Sequence, residues 1–328
     1  MKKIIFLVFL VSLSNLTSQS SVDCSSNLSI FAEYYKVKNY EAAYEPWMSV
    51  RKECPKINPA IYFQGSRMLD EFIKKSEGES KNAYQKDLLK LYDEWLINFP
   101  AYNGRSIVGQ IMSNKAQKMI DYKLASKNEI FTLFEDAYQT DPLSFDDPKP
   151  LYSYFKTYFE LYKDGENDIT LNQIFNKYEE LSERYNSIID DYSKQIDIII
   201  NKENSGIALT SREKRNKRVY EINSNASNIY LRNLNAIIAK ESTCENLIPL
   251  YRKNLEENKT NPVWLNRAAS RMDSKECSDD PLFVVLVELL HNLNPSANSA
   301  YYLGLLNDKK NNSEEALKFY NESIELET

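Results

Sequence analysis

Apolar residues return every three or four positions along nearly the whole chain from Leu28 onward, the spacing that lays a hydrophobic stripe along one side of an α-helix. The stripes come in pairs. The first pair covers about Leu28–Val37 and Tyr40–Lys52, with Lys38-Asn39 as the turn and Pro55 just past the end, where a helix cannot continue. Within its second member, Ala43, Trp47 and Val50 share one face. Prolines mark further helix ends at Pro100, Pro142, Pro262 and Pro295, and Ser126-x-x-Glu129 and Thr170-x-x-Gln173 have the form of capping boxes at helix starts.

The longest pattern lies in the middle of the chain. Ile174, Tyr178, Leu181, Tyr185, Ile188, Tyr192, Ile196 and Ile199 follow a near-heptad seam and predict one helix over residues 171–201, about 45 Å long. "KENSGIALT" interrupts it. Thr210-x-x-Glu213 then caps a second long helix, with Val219, Ile222, Ala226 and Ile229 as its apolar stripe. Together they predict an antiparallel helical hairpin.

Counted from Cys24, residues 24–57 resemble the tetratricopeptide repeat, a 34-residue helix-turn-helix unit, with Tyr34 at position 11, Ala43 at 20, Trp47 at 24 and Pro55 at 32. Phe31 stands at position 8, where the family usually has Gly. Counted from Ala297, the last residues resemble it again: Leu303 and Gly304 at 7 and 8, Ala316 at 20 and Tyr320 at 24, with Asn307 rather than Tyr at 11. The likeness thins between these two stretches.

The resemblance implies an all-α fold, a right-handed superhelical solenoid of helix-turn-helix repeats with the long hairpin inserted. Its divisions would be N-terminal repeats over 21–142, a degenerate repeat and the hairpin over 143–243, and C-terminal repeats over 244–328. Family arrays hold a protein or peptide in a concave groove lined by the first helices. The matching positions here are Ser25, Leu28, Ala32, Tyr35 and Lys36, then Asn298, Tyr301, Leu305, Asp308 and Lys309. The Lys and Asn of the carboxylate-clamp subclass are missing from positions 5 and 9, so an apolar or aromatic segment suits this groove better than a C-terminal carboxylate.

The opening residues place the chain. "MKKIIFLVFLVSLSNLTSQS" has two lysines, an apolar run and small residues suited to cleavage after Ser20: a secretory signal peptide over 1–20. Its apolar run is shorter than the roughly 20 residues that span a bilayer. The preceding Asp23 makes Cys24 a poor lipidation site. An exported product, periplasmic or secreted from a Gram-negative cell, is expected. Export changes how the four cysteines read, because they then favour two disulfides. Three connectivities are open; the similar short separations of 30 and 33 residues favour Cys24 with Cys54 and Cys244 with Cys277. In the repeat frame each link closes a helical hairpin, since an antiparallel pair returns the chain to its starting edge.

Charge and motifs narrow the chemistry. A net charge of −6 supplies no general basic field, so no nucleic-acid partner is expected. His291, the sole histidine, sits in an apolar helix with no convergent partners and reads as a packing residue; a zinc site would need at least two further ligands. Seven scattered glycines form neither a Walker loop nor a dinucleotide fingerprint, and "YKDGENDIT" fails the calcium-loop pattern, so no cofactor or metal is expected. "SFDDPKP" and "SDDPL" read as acidic turns before helices. "REKRNKR" at 212–218 reads first as a solvated helix face, and otherwise as a contact for acidic headgroups, glycans or a partner. Most of the 23 tyrosines read as packing residues, including Tyr34.

The expected function is an exported, non-catalytic scaffold for a protein or peptide partner. The alternatives are a glycan-binding surface protein, and an enzyme with a carboxylate site that the motifs do not single out. Leu317, Tyr320 and Ile324 recur at i, i+3 and i+7 on the last helix, a stripe suited to self-association. Non-reducing peptide mapping of the exported protein should recover Cys24–Cys54 and Cys244–Cys277; a Cys24–Cys277 peptide or free thiols would remove both the pairing and the hairpin reasoning.

Overall fold

The helical period is realised almost throughout. The computed structural model describes residues 23–327, which contain fourteen helices and one two-residue β-ladder. Two compact units part between Leu124 and Ala125. The first holds α1 (Cys24–Lys36), α2 (Tyr40–Glu53), α3 (Ala60–Lys75), α4 (Gly78–Asn98) and α5 (Val108–Tyr122). The second holds α6 (Lys127–Thr140), α7 (Pro148–Asp164), α8 (Leu171–Asn204), α9 (Ser211–Glu241), α10 (Cys244–Asn258), α11 (Pro262–Ser274), α12 (Pro281–Leu293), α13 (Ala297–Lys309) and α14 (Ser313–Glu327). Consecutive helices pack on one another in each unit, most extensively α1 on α2, α3 on α4, α8 on α9 and α13 on α14. The fold is all-α, built from sequential helix pairs. The units part before α6, and α6 packs on α7. Residues 1–20, read as a signal peptide, lie outside the described residues.

Local chemistry sets the ends. Ser126, Thr170 and Thr210 cap α6, α8 and α9, and Glu129, Gln173 and Glu213 reach back to the cap backbone in complete capping boxes. Past the end of α4, Asn103-Gly104 takes positive φ at both residues and folds a tight β-hairpin (β1 Ala101–Tyr102, β2 Arg105–Ser106), which the helical pattern does not predict. Among the described residues no helix is long and apolar enough to cross a membrane.

In the first unit the core turns on one indole. Trp47 is fully buried, and its Nε1 donates to the Ile61 carbonyl at 2.7 Å. A methyl group at Gly65 of α3 would come within 2.6 Å of that ring. Gly65 lies one repeat length after Phe31, which is itself fully buried. With a Phe at its own repeat's close-approach position, Trp47 packs on the glycine of the next helix pair. In the last pair the contact stays internal: Tyr320 lies against Gly304, where an added Cβ would be 2.4 Å from the ring. Arg51, nearly buried, sits over the Trp47 ring with its Cζ 5.0 Å from the centroid, and bonds Asp87 and Glu94 of α4.

Two expectations about faces are corrected. Tyr34 is 39% exposed rather than in the core; α1 turns Leu28, Phe31 and Tyr35 inward instead. On α9, Val219, Ile222 and Ile229 are exposed, and the packed face carries Tyr220, Asn223, Ser227, Leu234 and Ile238. Tyr192 of α8 explains the exchange: its ring packs on Tyr220 and its hydroxyl accepts from Asn223, so the space opposite takes small or polar side chains. On α8 the seam from Ile174 to Ile188 is buried as its spacing predicts.

The structure joins Cys24 to Cys54 and Cys244 to Cys277, with Cα atoms 6.2 and 5.4 Å apart, both within disulfide span. Asp146, in the turn before α7, has its carboxyl pushed up to about 6 by burial and by the adjacent Asp147, while Arg184 pulls the other way.

Trp47→Ala should destabilise the protein by about 3–5 kcal/mol, and Gly65→Ala by about 1–3 kcal/mol through overpacking, both read from denaturant midpoints. A loss under about 1 kcal/mol for the tryptophan, the range of surface changes, would mean that the indole is not the keystone described. Asp146 gives a pH signature. Its folded value lies above the ordinary 3.8, so the folded chain keeps a proton that the unfolded chain has lost, and stability falls as pH rises from about 4 to about 6. Asp146→Asn should flatten that slope and raise stability at neutral pH by about 1–3 kcal/mol; an unchanged slope would show the carboxyl to be solvated.

Candidate functional site

The eight predicted groove residues fall four to each unit. On α1, Ala32 and Lys36 are exposed, whereas Leu28 and Tyr35 are partly buried and pack against the core. The Tyr35 ring lies 5.9 Å from Phe31 and 5.5 Å from Tyr40. On α13, Tyr301, Asp308 and Lys309 are exposed and Leu305 is half-buried. Lys309 is already held by Ser278 and Asp279, at 2.7 and 2.8 Å. Leu317 and Ile324 of α14 are exposed, while Tyr320 packs on Gly304 and Tyr301. His291 meets Ser299, Glu322 and the Phe319 ring where α12, α13 and α14 join, a packing role.

A different feature gathers more chemistry. In the second unit, α8, α9 and α11 line an open cleft of about 520 Å³. Helical spacing sends one row from each helix into it: Tyr178, Ser182 and Asn186 from α8, Leu231, Asn235 and Ile238 from α9, and Asn266, Ser270 and Ser274 from α11. One wall is fixed by charge. Glu179 of α8 binds both Arg267 and Arg271 of α11, and Glu183 takes a second bond from Arg267 at 2.9 Å. Arg271 also stacks on the Tyr178 ring, its Cζ 4.6 Å from the centroid, and donates to the Tyr251 hydroxyl at 3.1 Å. Burial opposes the Arg271 charge, but Tyr251, Tyr178 and Glu179 outweigh it and hold the guanidinium above its ordinary value. Burial pushes the Tyr251 phenol up to about 12, with Arg271 pulling it down. Both arginines are therefore spoken for within the fold.

What faces the cleft is mostly neutral and polar. Tyr178 donates to Asn235 Oδ1 at 2.7 Å, and the Ser270 hydroxyl accepts from Tyr302 at 2.9 Å. Two groups are left over. Ser182 Oγ and Asn266 Oδ1 are buried and have no protein hydrogen-bond partner. An unsatisfied buried polar atom costs about 1–3 kcal/mol, and a turn of either side chain toward the cleft it lines would give it a partner there. Amide and hydroxyl side chains both donate and accept, the property needed to read a neutral polar chain. Among the described residues no cluster of His, Cys, Asp or Glu has the arrangement of a metal site.

Sequence reasoning did not select this cleft, because Ser182, Asn235 and Asn266 are polar positions on helices that are mostly polar. A signal was present all the same. Arg267 and Arg271 at i, i+4 on one helix complement Glu179 and Glu183 at i, i+4 on another, the mark of two helices locked side by side.

No family model matches this sequence, and no curated protein matches it either. Among solved structures, it is similar to the crystal structure of a tetratricopeptide repeat protein from Parabacteroides merdae, at 10% identity and a TM-score of 0.34, over 92% of this chain and 93% of that one.

Proposed function

We propose that this protein is an exported, non-catalytic helical scaffold that holds an extended segment of a protein partner in the cleft between the α8–α9 hairpin and α11. The observation that carries the reading is the lining of this cleft by amide and hydroxyl side chains, Ser182, Asn186, Asn235, Asn266 and Ser270 among them, of which Ser182 and Asn266 have a polar atom without a protein partner. A peptide backbone presents alternating N–H donors and carbonyl acceptors, which suits such a lining, and Leu231 and Ile238 offer apolar contact beside it. Glycan binding is the weaker alternative at this cleft, since Arg271 already lies over the Tyr178 ring that a sugar would use for stacking. The sequence-level case for export, from residues 1–20 and the two cysteine pairs, completes the reading.

An array of unmodified extended peptides, followed by titration of the best binder, tests it. The double variant Ser182→Ala, Asn266→Leu should lose about tenfold or more in affinity while staying folded with a melting temperature no lower than the parent's. Binding on a glycan array with none to peptides, or peptide binding indifferent to both substitutions, would overturn the proposal.

A further inference from the structure

The free end of the α8–α9 hairpin has a composition unlike the rest of the chain. The hydroxyl of Tyr185 donates to the Pro148 carbonyl at 2.6 Å, which sets the level where α7 begins alongside the hairpin. From Ser193 to Tyr220, Ile199 is the one buried residue, so both helices run on largely exposed for about 18 Å at 1.5 Å per residue. Yet this stretch is not uniformly polar. Ile198 and Ile207 are 62% and 55% exposed, with Ile207 in the connecting turn itself, and Ile222, just beyond the stretch on α9, is 55% exposed.

Charge adds a second, independent feature. Between residues 197 and 222 six basic side chains face four acidic ones, in a protein whose net charge is −6. Two acids are consumed across the turn: Glu213 by Lys202 at 2.6 Å and Glu203 by Lys217 at 2.7 Å. No ion pair joins Arg212, Arg215 or Arg218 to a carboxylate among the described residues, which leaves a local positive excess at the tip. Arg212, Arg215, Val219 and Ile222 recur at intervals of three and four, so cations and aliphatic side chains share a face of α9 away from α8.

We infer that the tip of this hairpin docks on an anionic phospholipid bilayer along the exposed face of α9, with Ile207 and Ile222 entering the headgroup region and Arg212 and Arg215 meeting the lipid phosphates. From Arg212 to Ile222 that face runs about 15 Å along α9, and it can lie in the plane of the interface. Long arginine stems bury their methylenes while the guanidinium stays among the phosphates. Cationic side chains beside aliphatic ones form the pairing that an anionic interface rewards, and the excess of acid elsewhere on the chain confines adsorption to this end.

Co-flotation of the full mature chain with vesicles decides it. Vesicles of about one-third phosphatidylglycerol in phosphatidylcholine should carry the protein up the gradient, and pure phosphatidylcholine should not. Binding should fall about tenfold or more in Arg212→Glu, Arg215→Glu, and in about 0.5 M salt. Ile207→Ser, Ile222→Ser should weaken it as well, with helical circular dichroism unchanged in both variants. Absence of flotation with the anionic vesicles would overturn the inference, as would binding that survives either double variant. Capture by soluble polyglutamate that competes fully with vesicles and ignores the isoleucine changes would reassign the tip to an acidic protein, and overturn it equally.

Discussion

A buried tyrosine whose hydroxyl is handed a partner both fills space and fixes register, and several helix contacts of this chain depend on that pairing. Tyr62 is fully buried and gives its hydroxyl to the Pro55 carbonyl; Tyr185 gives its own to Pro148. Tyr178 donates to Asn235 and Tyr302 to Ser270. Each ring fills space between consecutive helices, and each hydroxyl then fixes the register of one helix against a neighbouring turn or helix. Burial raises three of these phenols: Tyr62 to about 12, and Tyr185 and Tyr302 above their ordinary values. They stay protonated donors, and the registers they set hold across the physiological range.

The same rule accounts for what could and could not be read in advance. Helix pairing, the three capping boxes and the α8 seam were legible because each is a local pattern: a period, or a cap with a reciprocal glutamate or glutamine. The α9 face was not. Period alone favours Val219, Ile222 and Ile229 as the packed stripe, but a partner helix carrying Tyr192 needs Asn223 and Ser227 opposite it, and that requirement lives on the other helix. Tyr34 illustrates the same limit, since the place a repeat frame assigns to it is taken by Phe31 and Tyr35.

The cleft was hidden for a related reason. Serine and asparagine on a helix surface are ordinary, and nothing local distinguishes Ser182 or Asn266 from their many counterparts. Three helices must converge before either is buried without a partner. The ion-pair lock between Glu179 and the two arginines of α11 brings that convergence about, and it ties the cleft to the hairpin whose other end carries the exposed isoleucines. One long hairpin thus links a polar recess near its base with an amphipathic tip.

The covalent link between Cys24 and Cys54 has a mechanical consequence. Tension applied to the chain ahead of Cys24 does not pass through α1 and α2 in series, because the sulfur bridge offers a shorter load path and delivers the force at Cys54. The first helix pair is shielded from unravelling by a pull on its own end. The load enters instead at the turn before α3, where the Trp47 indole, bonded to Ile61 and pressed on Gly65, bears it as lateral packing rather than as the peeling of a helix.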